Sequence, residues 1–237
     1  MTGGWKTKRF WTDVSVNAED GGFGVMLDAR RVMTPGKQPL IVPTRAMAEA
    51  VAAEWAAQDG EIKPLTMPFT RAANSAIERV RPQQAEVAAM LAAYAETDLT
   101  CHRAGTPAEL AARQSQAWDP ILDWAAAAYG APLIATVGVL PVAQPQPSLD
   151  ALAAHVAGLD EFRLTALHDL VTLSGSLLIG LATADRHIAP DTAWHLSRID
   201  ETWQAEQWGD DEEAAEAAEI KREQFLQADR FWSLSVL

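Results

Sequence analysis

The sequence predicts an α+β fold: a small, strand-rich N-terminal α+β domain with a β-meander over residues 1–80, followed by an all-α helical bundle over residues 81–237. Three observations carry this. Short β-forming runs punctuated by glycine and proline occupy the chain up to Pro43. Strand signals nearly vanish beyond Pro82, and alanine-rich helical periodicity takes over. The charge divides at the same place. Residues 1–80 hold 10 Lys/Arg and 9 Asp/Glu, whereas residues 81–237 hold 9 and 23, so the net charge of −13 belongs to the second part.

In the first part, Phe10–Val16 and Phe23–Leu27 read as strands joined by a hairpin at Asp20-Gly21-Gly22, where glycine supplies positive φ. Asp28-Ala29-Arg30-Arg31 reads as a turn, Val32-Met33 as extended, and Pro39–Val42 as a further strand. Thr44 is placed to cap an alanine-rich helix over Ala46–Gln58, which Asp59-Gly60 ends. A second helix is expected over Phe69–Val80. In the second part, helices are expected over Gln83–Glu96 and from Pro107 to Gln116, which Trp118–Tyr129 continues or restarts, with Gly130 past its end. A proline-rich connection runs from Ala131 to Ser148. Ser148 and Asp160 are expected to cap helices running to about Ala157 and Ala184, Pro190 opens one to about Trp208, and Asp210–Phe231 is the last.

Several chemistries find no support. The acidic balance argues against nucleic acid as a partner. Gly36-Lys37 lacks both the first glycine and the Ser/Thr of a phosphate loop, so no nucleotide site is expected. The single Cys101 forms no internal disulfide and fits a reducing compartment. The five histidines have no metal-ligating spacing, and no cofactor is implied. The longest apolar stretch, Leu170–Ala184, is shorter than the ~20 residues of a membrane span, and the N-terminus has no secretory pattern. The small residues Ser176, Gly180 and Ala184 form one stripe suited to close helix packing.

Two features invite a functional reading. Asp119 and Asp123 share one helix face, and with a histidine in an interdomain cleft they would suit a hydrolase or lyase acting on a small molecule; Cys101-His102 resembles a nucleophile–base pair, but adjacent residues rarely face each other and no nucleophile elbow accompanies it. Helix-dipole and solvation roles explain the two carboxylates more simply. The stronger feature is the span Asp200–Glu219, which holds nine acidic residues, no basic residue, and the interleaved Trp203 and Trp208. Carboxylates can draw in a basic partner, and indoles then bury apolar area against it.

Segments spread along the whole chain add a resemblance. They include Lys8-Arg9-Phe10-Trp11, Leu27-Asp28-Ala29-Arg30, Leu40-Ile41-Val42-Pro43-Thr44, Ala53-Glu54-Trp55, Met67-Pro68-Phe69-Thr70-Arg71-Ala72-Ala73-Asn74, Trp118-Asp119-Pro120, Gly175-Ser176-Leu177 and Asp200 through Gly209. As an ordered set they resemble the family of assembly chaperones for the α subunit of the ATP synthase catalytic head. The resemblance implies a small α+β domain joined to an orthogonal helical bundle, and no enzymatic activity of its own. It implies a client, the unassembled α subunit, which is kept from aggregating and then released to the β subunit. Client contact is expected at Glu201, Trp203, Gln204, Glu206, Trp208 and Asp211. The chain lacks the N-terminal extension of mitochondrial members, so the expected setting is a bacterial cytoplasm, with the free protein a monomer.

Overall fold

The structure, a computed structural model, describes residues 8–138, 140, 142–209 and 211–236. Asp210, expected to begin the last helix, lies outside the described residues. The chain divides into two compact units. One comprises Met1–Gln83, Glu161–Thr165 and Arg230–Leu237, the other Gln84–Asp160 and Ala166–Asp229.

The first unit is built around an antiparallel hairpin of β1 (Val14–Glu19) and β2 (Gly22–Leu27), paired from Val14↔Leu27 to Glu19↔Gly22. The turn is Asp20-Gly21, with Gly21 at φ +84°. Gly22 is required for a different reason: a Cβ there would lie 2.3 Å from the Val42 carbonyl oxygen. That close approach lets β4 (Ile41–Val42) pair with one end of β2, while β3 (Arg30–Arg31) pairs with the other. Val25 and Leu27 point inward at period two, against the buried face of α1 (Arg45–Ala56), which carries Met47, Ala48 and Val51. Thr44 caps this helix, its Oγ1 accepting from Met47 N–H at 3.0 Å. At the other end Arg9 donates to the carbonyls of Ala56 and Gln58 at 3.0 and 2.6 Å, placing a cation where unpaired carbonyls collect. Glu54, buried on α1, accepts from Phe69 N–H, Thr70 N–H and the Thr70 hydroxyl at 2.6–2.8 Å, and so caps α2 (Pro68–Ser75). Burial raises its pKa, against those three hydrogen bonds.

The remaining elements are α3 (Gln84–Ala92), β5 (His102–Arg103), α4 (Ala108–Tyr129), β6 (Thr136–Val137), α5 (Gln146–Ala157), α6 (Glu161–Ser174), α7 (Leu177–Ala184), α8 (Pro190–Ser197), α9 (Ile199–Trp208) and α10 (Glu212–Ser235). Every residue of α7 is buried, so the second unit packs around it. Its start is fixed by Ser176, whose Oγ accepts from Ile179 N–H at 3.0 Å, and by Asp98, which has no solvent exposure. Asp98 accepts from the Thr100 N–H and hydroxyl, the Ser176 hydroxyl and the Leu178 N–H at 2.7–3.1 Å. Its burial raises the carboxyl pKa. Gly180 sets the approach of α6: a Cβ there would meet Val171 Cγ2 at 2.9 Å. This is the small-residue stripe acting as core packing.

The structure corrects several boundaries. Arg30 and Arg31 pair with β2 rather than ending a turn, because Asp28 takes the left-handed conformation (φ +52°) and accepts from Thr12 and Asp13 N–H. Of the two alternatives for Trp118–Tyr129 the structure takes continuation: Ala108–Tyr129 is one helix that runs through Pro120. The expected helix to Ala184 is two, broken where Gly175 adopts φ +72°. The expected helix from Pro190 to Trp208 is also two, α8 and α9. Ser148 lies inside α5 and donates to the Pro132 carbonyl at 2.7 Å instead of capping the helix. The pair β5–β6 is parallel and had no signal, since two residues per strand are too few to alternate.

Two measurements test this packing. Asp98→Ala strands four buried donors, and urea denaturation should show a loss of about 3 kcal/mol or more. Gly180→Ala gains helix propensity of about 1 kcal/mol but forces a methyl onto Val171. The expected net result is a lower Tm; an unchanged or raised Tm would show that the α6–α7 contact has slack.

Candidate docking site

The acidic-aromatic stretch maps onto α9 and the start of α10. In a helix, positions three and four apart share a face. Asp200, Trp203 and Glu206 therefore share one side of α9, and α4 meets that side. Gln114 donates to Asp200 at 2.6 Å, while its own oxygen accepts from Ala104 N–H at 2.7 Å. Arg113 grips Glu206 in a two-pronged pair, both N···O distances 2.9 Å. The same guanidinium lies over the Trp203 ring, 5.0 Å from its centroid. Trp203 is half-buried by this arrangement.

Glu201, Gln204 and Trp208 fall on the opposite side, at spacings of three and four. All three are exposed, and Trp208 is 80% exposed. Glu201 pairs along the helix with Arg198 at 2.7 Å. A surface pair at this spacing contributes little and leaves the carboxylate available. Asp211 begins α10: its Oδ1 accepts from Glu213 and Ala214 N–H at 3.0 and 3.3 Å, a capping role. The six residues singled out from sequence thus divide three ways. Trp203 and Glu206 are engaged with α4, Glu201, Gln204 and Trp208 form an outward stripe, and Asp211 caps a helix.

Arg113 and Gln114 had escaped the sequence reading. They lie 86 to 93 residues from their α9 partners, and nothing local in the sequence announces such a contact. Beside the start of α9 is a hollow of about 270 Å³ whose lining includes Leu99, Trp118, Gly175, Ser197 and Arg198. That is smaller than the ~300–1,000 Å³ of sites for drug-sized ligands.

The residues of the hydrolase reading do not assemble. Asp119 pairs with Arg103 at 2.6 Å, Asp123 is exposed, and burial pushes the Cys101 thiol up to about 12, where it is a poor nucleophile at neutral pH. His155 and His187 instead contact the aromatic rings of Tyr129 and Trp124. Among the described residues no group of three His, Cys, Asp or Glu side chains is placed to hold a metal ion, and no helix is long and apolar enough to cross a membrane.

Comparison with known proteins gives this geometry a family. The model of the ATP12 chaperone protein family matches residues 8–126. The crystal structure of Atp12 from Paracoccus denitrificans matches at 52% identity and a TM-score of 0.96, over 98% of this chain and all of that one. The chain belongs to the ATP12 chaperone family. The Atu1473 protein of Agrobacterium tumefaciens, at 38% identity and TM-score 0.91, covers 96% of this chain and 85% of its own. The family match ends at residue 126, within α4, the helix that positions α9, and the α+β architecture is that of the Paracoccus structure.

The Arg113 pair makes a pH prediction. Hydrogen bonding to Arg113 holds the Glu206 carboxyl below its ordinary value. A depressed folded pKa means that the pair is fully formed above the unfolded value of about 4.3 and is lost only as pH falls through the lower folded one. An NMR titration of the Glu206 carboxyl carbon should give a midpoint below about 4.3, and Arg113→Ala should return it there.

Proposed function

We propose that this protein binds the unassembled α subunit of the ATP synthase catalytic head, keeps it from aggregating, and releases it to the β subunit during assembly. The free chaperone is a monomer working in a bacterial cytoplasm. Membership in the ATP12 chaperone family supports the reading. The observation that carries it is Trp208, an indole left 80% exposed at the end of α9. A large aromatic in water is unfavourable for a lone protein and is enriched at the centre of protein interfaces. Glu201 and Gln204 flank it along the same stripe, and Glu212, Glu213 and Glu216 follow at the start of α10, all exposed. Carboxylates around an indole suit a client surface that is basic at its edge and apolar at its middle.

This assigns the parts unequal roles. Trp208 supplies affinity, and the carboxylates chiefly accelerate encounter. Trp203 and Glu206 hold α9 against α4 and thereby aim the stripe.

With purified α subunit, Trp208→Ala should weaken capture by about tenfold or more, read by titration calorimetry, while Tm stays unchanged because the ring packs on little. Raising salt from 50 to 500 mM should slow association several-fold and leave dissociation nearly constant. Capture by Trp208→Ala equal to wild type would remove the stripe from the interface.

A further inference from the structure

The connection between α4 and α5, which contains β6, carries a second feature. From Ala131 to Leu149 the chain has no Asp, Glu, Lys, Arg or His, in a protein where 22% of residues are charged. Four large apolar side chains of this segment are exposed: Ile134, Val137, Leu140 and Val142, with Val137 and Leu140 at 71% and 78%. Isolated exposed aliphatics are ordinary, but four within nine residues and no interspersed charge are not.

The backbone beneath them is pinned. The Gln144 carboxamide reaches across to Ile134, accepting from its N–H at 2.7 Å and donating to its carbonyl at 3.0 Å. The parallel pair sets Thr136 and Val137 beside His102 and Arg103, and Gly138 N–H donates to the Arg103 carbonyl at 2.9 Å. Arg103 is buried and fixed by its ion pair to Asp119 and its place over the Trp118 ring. The buried hydroxyl of Ser148 holds the Pro132 carbonyl. Polar bonds thus secure the base of the loop while its apolar side chains stay in water. A loop that could fold these side chains under itself would gain by burying them. Pinning the base withholds that option and lowers the ordering cost of binding through them.

We propose that the exposed Ile134, Val137, Leu140 and Val142 form a second docking element, which packs against an apolar patch with a basic rim on the unassembled client; the identity of that client rests on the function proposed above. Charge decides between occupants. A second copy of this chain would bring another net charge of −13 against the first. A basic-rimmed apolar surface meets no such repulsion, and the uncharged loop can enter it without desolvating an ion.

The test uses the full chain and purified α subunit. Val137→Ser with Leu140→Ser should weaken capture by about tenfold or more at an unchanged Tm. A benzophenone side chain placed at Leu140 in the otherwise unaltered protein should crosslink to the α subunit. If wild type captures the client and the double variant does so equally well without crosslinking, the loop assignment is wrong and the function stands. If wild type fails to capture it, the function falls and this proposal with it. If sedimentation shows a wild-type dimer that the double variant cannot form, the loop is a self-association face and the proposal is overturned.

Discussion

The carboxylate of Asp98 is the constraint from which the helical unit is organised. It is sealed from solvent and hydrogen-bonded by neutral donors, the Thr100 backbone and hydroxyl, Ser176 and Leu178. A buried carboxylate is tolerable when several donors converge on it, as four do here, and one of the dipoles is the positive end of α7. The same bonds place α7 at the centre, and α4 and α8 pack on it. Helix α4 then acts as the spine of the site. Trp118 ties it to the Leu196 carbonyl at 2.8 Å, Asp119 ties it to β5, and Arg113 and Gln114 tie it to α9. The outward stripe of α9 and the apolar loop around β6 are both held from this one helix.

Local signals made much of this legible. Thr44 before an alanine run, Asp20-Gly21 between β-formers, and Gly130 after Tyr129 each state a backbone conformation within a few residues, and the structure follows them. The misreadings also have local causes. Gly175 sits inside a run so apolar that periodicity could not show the break. Strands β5 and β6 are held by Arg103 and its partners rather than by any pattern of their own.

The candidate site was legible as a place and not as a geometry. Composition marked Asp200–Glu219, but it could not say that Trp203 turns toward Arg113 while Trp208 turns outward, because that division depends on which side α4 approaches. Five residues along the helix separate the two rings, which puts them roughly 140° apart. Once one ring is fixed against α4, the other must face away. Asp211 shows the same dependence on geometry: a carboxylate in an acidic run reads as part of a surface field, and its bonds to Glu213 and Ala214 N–H add a capping role that composition does not reveal.

The charge pattern bears on what can reach the exposed apolar side chains, among them the Trp208 indole and the four aliphatic groups of the loop. Hydrophobic contact has no preference for a foreign surface over another copy of the same chain, so selectivity must come from elsewhere. A net charge of −13 supplies it: like molecules repel at ranges up to about a Debye length, ~8 Å in physiological salt, before apolar atoms can touch. A basic-edged partner is drawn in over the same range. The acidic excess is therefore better understood as selecting who reaches the apolar groups than as supplying the binding energy. This is consistent with Glu206 being engaged by Arg113 and Asp211 by a helix start, since long-range repulsion depends on net charge and tolerates local pairing.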